Sequence, residues 1–176
     1  MDPLATHRAR IGHLREAFAE ANERLVARLR NANDESARRV PDGGAWSAAQ
    51  IGWHVAKVTT RFAGIMSGEL PGAQPVASDF QERPWGEIVP TIGDRLQAPP
   101  SVQPPPGVTR MEAIAALEAA GLRMARALDA VTLERGAGHG ISSPIVGGAI
   151  NLYQVGEWAT AHVIRHNKQA KQVLGR

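Results

Sequence analysis

At 176 residues the chain is long enough to bury the core of one domain, residues 1–176, and its apolar (43%) and charged (21%) fractions are ordinary for a globular protein. It contains no cysteine, which removes disulfides, thiolate metal ligands and a cysteine nucleophile. The net charge is only +3, and no apolar run approaches the roughly 18 residues a transmembrane helix needs, so neither a nucleic-acid binder nor a membrane protein is expected.

The chain opens on MDPLATHRAR, which lacks the apolar centre of a secretory signal. With the absence of cysteine, this fits a cytoplasmic protein. Leu4, Ile11, Leu14, Phe18, Leu25 and Leu29 recur at helical spacing, with Asp2 and Pro3 suited to the N-cap and first turn. That first helix is expected to end near Asn31.

A second helix starts at Ser47. Ser47 and Gln50 form an S-x-x-Q capping box, Trp46 can staple onto Ile51, and the buried stripe reads Ile51, His54, Val55, Val58, Phe62, Ile65. From Glu69 to Val108 comes a stretch of about forty residues holding nine of the twelve prolines. Its composition predicts extended or polyproline backbone bordering a pocket mouth, not a separate fold.

A third helix starts at Thr109, where Thr109 and Glu112 make another capping box. Met111, Ile114, Leu117, Gly121, Met124 and Leu128 are its expected buried face. The glycine-rich stretch from Glu134 to Ile150 reads as a flexible loop. Asn151 then caps a fourth helix with the stripe Leu152, Val155, Ala159, His162, His166, Gln169, Val173. Its end, Ala161 to Arg176, has Arg165, Lys168, Lys171 and Arg176 and no acidic residue. Cations there suit a helix C-terminus.

The stripes are apolar except where histidine interrupts them. His162 and His166 stand four apart, so both imidazoles leave one helix face a turn apart and can reach one ion. His54 interrupts the core stripe of another helix, and bundles assemble metal sites between facing helices. A lone histidine on an apolar face is commonly a core residue with a satisfied partner. Two on one short helix need partners for two buried polar groups. His7 falls on the first stripe and reads as a helix-end histidine, with a fourth ligand or a supporting hydrogen bond as alternatives. His13 lies off the stripe and His139 in the glycine-rich stretch. Glu118 and Glu157 point to solvent or a flank, so no carboxylate is placed as a general base. Trp53, Tyr153 and Trp158 flank the histidines and serve either packing or a pocket wall.

Two phrases resemble a known family. WSAAQIGWHV (Trp46–Val55) resembles the opening of the second helix of DinB/YfiT-like proteins, and PIVGGAINLYQ followed by AHVIRHNKQ (Ala161–Gln169) resembles their last helix with its H-x-x-x-H-x-x-Q ending. The resemblance implies an all-α, up-down-down-up four-helix bundle, often a homodimer. It also implies a divalent ion, commonly nickel or zinc, on His54, His162 and His166. Some such proteins transfer thiols such as mycothiol, bacillithiol or glutathione. The long proline-rich insertion departs from that pattern.

A three-histidine site leaves coordination positions open, as a catalytic ion requires. A thiol bound there is deprotonated without a neighbouring carboxylate. The leading expectation is therefore a metal-dependent, thiol-using S-transferase acting on a small electrophile. The alternatives are a metal-dependent hydrolase, a non-catalytic metal-binding or stress-response bundle, and a plain interaction bundle.

Overall fold

The computed structural model describes residues 2–91 and 97–175. The protein is mostly helical. Its long helices are α1 (Pro3–Arg30), α3 (Ala48–Ser67), α5 (Arg110–Asp129) and α7 (Leu152–Leu174), and the short ones are α2 (Asp34–Arg38), α4 (Trp85–Ile88) and α6 (Leu133–Gly138). Each long helix begins where its side-chain chemistry dictates. Asp2 accepts from the Leu4 N–H, Asn151 accepts from the Gln154 N–H, and both capping boxes, Ser47/Gln50 and Thr109/Glu112, are closed in both directions. Gly68 and Gly175 terminate α3 and α7 in the left-handed conformation.

The apolar stripes meet in one core. Leu25, Leu29, Ile51, Met66, Leu117, Met124, Leu128 and Leu152 are all buried there. Helix α3 packs along α5 and α7, and α1 along α7 and α5. Gly52 lets α3 come close to both α1 and α5: a Cβ there would lie 2.8 Å from Leu29 Cδ1 of α1 and 3.3 Å from Ala113 Cβ of α5. Two stripe residues depart from expectation. Met111 (60% exposed) and Leu4 (44%) lie at the first turns of their helices, before these enter the core.

The glycine-rich stretch after α5 is built, not loose. Thr132 caps α6, and β2 (His139–Ser143) pairs antiparallel with β3 (Gly148–Asn151), Ile141 opposite Ile150. Pro144–Val146 turns between them, closed by Gly147 at φ 65°. A third strand, β1 (Gln74–Pro75), adds to β2, so the order is β1-β2-β3. This small sheet is a correction to a purely helical reading.

The proline-rich stretch supplies β1, α4, and helical turns at Val89–Thr91 and Pro100–Val102. Ile88 and Val102 from it are buried, while residues 92–96 within it lie outside the described residues. So does Arg176 of the basic tail. Among the described residues no helix is long and apolar enough to cross a membrane.

Candidate metal centre

His54 on α3 and His162 and His166 on α7 converge. Their ring centroids lie 5.2 Å (His54–His162), 4.9 Å (His54–His166) and 4.4 Å (His162–His166) apart. One ligand nitrogen from each falls within 4.8 Å of the others, a grouping able to hold a metal ion. The i, i+4 spacing on α7 and the burial of the α3 stripe against α7 bring the rings together.

Two of the three rings are already oriented. His54 Nδ1 stands 2.8 Å from the Val102 carbonyl oxygen, and His166 Nδ1 stands 2.8 Å from Gln169 Oε1. Both oxygens can only accept, so each Nδ1 carries the proton and each Nε2 keeps a free lone pair. His162 Nδ1 is buried with no hydrogen-bond partner among the described residues. A buried polar atom left alone is costly unless something outside the chain satisfies it. Three neutral imidazoles, two with Nε2 exposed by their hydrogen bonds and one with an orphaned nitrogen, fit a metal ion.

The electrostatics keep these imidazoles neutral. Burial pushes the pKa of His166 down to about 4, with the charge of His54 adding to it and the Gln169 hydrogen bond opposing. Burial also lowers His54, against its bond to Val102, and lowers His162 well below the ordinary range, reinforced by the other two histidines. Arg165 disfavours protonation of all three.

The histidines line a cavity of about 860 Å³. Trp46 leans on His54 with ring centroids 4.8 Å apart, and Phe62 meets Trp158 at 5.2 Å further along the same helices. Ile141, Ser142 and Ser143 of β2 close one side, and Pro71, Trp85, Val89 and Ser101 of the proline-rich stretch close another. Both segments that read as loops in the sequence thus contribute cavity wall.

The remaining sequence candidates have other partners. His7 is not a loose helix-end residue: its Nδ1 is 2.7 Å from the Tyr153 hydroxyl. His13 is exposed. His139 is half-buried at the start of β2, outside the histidine group. Trp158 lines the cavity, while Trp53 lies under the Lys57 ammonium and Tyr153 is buried beneath Arg10. Glu118 pairs with Arg30, and Glu157 accepts from Arg10 (2.7 Å) and Trp85 Nε1 (2.7 Å). No carboxylate joins the histidine group among the described residues. Missed in the sequence was Val102, whose backbone carbonyl has no residue-type signal. Also missed was the bracket Arg10–Glu82–Asn151, formed by residues 69 or more positions apart.

Fold and site together define a mostly helical protein with a three-histidine cluster suited to a metal ion. A family model described as the DinB superfamily matches residues 17–170, and the chain belongs to that superfamily. No curated protein matches it.

Proposed function

We propose that this chain is a metal-dependent enzyme of thiol-transfer type, with His54, His162 and His166 holding one divalent ion, zinc or nickel. The observation that carries it is the convergence of three neutral imidazoles at the wall of a large, mostly apolar cavity with no carboxylate among them. A divalent ion held by these three residues would supply the Lewis acidity that lowers a thiol's pKa towards neutrality. The chain's own residues do the rest. Val102 and Gln169 fix two ring orientations, and Trp46, Phe62 and Trp158 exclude water and seat a small electrophile.

The same reading takes α1, α3, α5 and α7 as an up-down-down-up four-helix bundle in a single domain. Its support is the pattern of contacts. His7 meets Tyr153 and Arg28 meets Asn167, so α1 and α7 run the same way. Arg15 pairs with Asp129 and Arg30 with Glu118, so α5 opposes α1. Gly52 meets Ala113 and Glu69 meets Arg123, so α3 follows α5.

The test is a turnover screen of metal-loaded protein with several low-molecular-weight thiols against small electrophiles. Thiol-dependent conversion, lost in His162→Ala, is the expected result. Ester or amide cleavage without thiol would favour a hydrolase. No turnover of either kind would leave a non-catalytic metal-binding bundle.

A further inference from the structure

Among the described residues, the cavity beside the histidines carries charge of one sign. Apart from the histidines, Arg61 and Arg165 are the only ionisable side chains among its described lining residues, which include no aspartate or glutamate. Six other arginines, from Arg10 to Arg123, face a carboxylate. Arg61 and Arg165 have no ion-pair partner among the described residues. Both are exposed at the cavity wall, where water solvates them until a ligand arrives.

Their positions along the helices differ. Arg165 is one turn beyond His162 and adjacent to His166, at the histidine end. Arg61 is seven residues beyond His54, hence on the same face of α3 and roughly 10 Å further along the axis. Beside Arg61 and towards the histidines the two helices present apolar side chains: Val58 and Phe62 on α3, and Trp158 on α7 in ring contact with Phe62.

We infer that the cavity takes an organic carboxylate whose apolar body lies along Val58, Phe62 and Trp158. Its carboxylate pairs with Arg61, while its opposite end faces the histidines. Arg165 adds positive potential at the histidine end, favouring an anionic donor atom there. A guanidinium binds a carboxylate through two parallel hydrogen bonds, which a neutral isostere does not offer. The inference rests on reading this cavity as the substrate site.

Calorimetric titration of two matched pairs tests it: hexanoate against hexanol, and mercaptohexanoate against mercaptohexanol. Each pair is titrated into metal-loaded and chelator-treated protein. The carboxylate of each pair should bind about tenfold more tightly than its alcohol, with or without metal. Arg61→Gln should remove most of that preference, and Arg61→Lys should keep part of it. Arg165→Gln should weaken mercaptohexanoate more than hexanoate in the metal-loaded protein. Equal binding of acid and alcohol, or a preference that survives the Arg61→Gln/Arg165→Gln double variant, overturns the inference. The metal reading is scored separately: it fails if the thiol of mercaptohexanoate adds no affinity over hexanoate in metal-loaded protein, whatever the carboxylate preference.

Discussion

Gln169 touches only one of the three histidines, yet its amide oxygen decides which nitrogen of His166 is free to bind. Replacing Gln169 with Leu should leave the helix folded and lower metal affinity by about 10–100-fold, since such supporting hydrogen bonds are worth that much. Competition with a chromophoric chelator measures this, and an unchanged affinity would show that the hydrogen bond is incidental. The same histidines make stability depend on acid. An unfolded histidine titrates near 6.5, whereas burial pushes the pKa of folded His166 down to about 4. Between these values the unfolded chain binds a proton that the folded chain refuses. Stability of the metal-free protein should therefore be flat in this respect above about pH 6.5 and fall below it, by about 1.4 kcal/mol per pH unit for each such histidine. Urea unfolding midpoints from pH 7 to 4 check it, and His166→Gln should flatten the profile.

At the scale of elements, the hairpin β2–β3 forms one wall of the cavity and depends on a close backbone approach. A Cβ on Gly140 would lie 2.0 Å from the Ile150 carbonyl oxygen, while one on Gly138 would meet nothing within 4 Å. Gly140→Ala should therefore cost at least about 1–3 kcal/mol, and Gly138→Ala almost nothing. Equal midpoints for the two variants in thermal melts would contradict the strand pairing. This hairpin was also the element least legible in the sequence. The long helices announced themselves through Asp2, Ser47/Gln50, Thr109/Glu112 and Asn151, all local signals read within four residues. The hairpin's cues were an Ile–Ser–Ser strand, a Ser–Pro turn and a Gly–Gly pair, which also describe a loose loop. Helix α2 was missed although Asn33 caps it and Asp34 and Glu35 fill its first turn, because five residues show no period. The three histidines were legible because each broke an apolar stripe. Their supports divided: Gln169 sat on the stripe, whereas Val102 acts through a carbonyl 48 positions from His54.

Across the whole molecule, Arg10 is one of the ties that hold the proline-rich stretch to the helices, beside Arg83, whose guanidinium donates to the Val146 carbonyl (2.6 Å) and whose own carbonyl accepts from Gln154 (2.7 Å). The Arg10 guanidinium donates to Glu82 (2.9 and 2.6 Å) and to Glu157 (2.7 Å) and lies 4.5 Å over the Tyr153 ring. Glu157 in turn holds Trp85, and Glu82 holds Asn151 at the start of α7. Arg10→Met leaves the carboxylates of Glu82, which is exposed, and Glu157, which is half-buried, without their shared cation. The loss of stability should fall between the about 1 kcal/mol of an exposed pair and the about 3–5 kcal/mol of a buried one. Limited proteolysis should then cut within residues 76–91 faster than in the parent, while unchanged cleavage would mean that the buried Ile88 and the Arg83 hydrogen bonds to Val146 and Gln154 hold the stretch without Arg10.

The central claim is that His54, His162 and His166 form a metal site, and metal content tests it most directly. Elemental analysis of protein purified without an affinity tag should find about one divalent ion per chain, zinc or nickel, and almost none in the His162→Ala/His166→Ala protein. A parent protein that takes up no ion when offered zinc and nickel would contradict the account, as would a double variant that keeps one ion per chain.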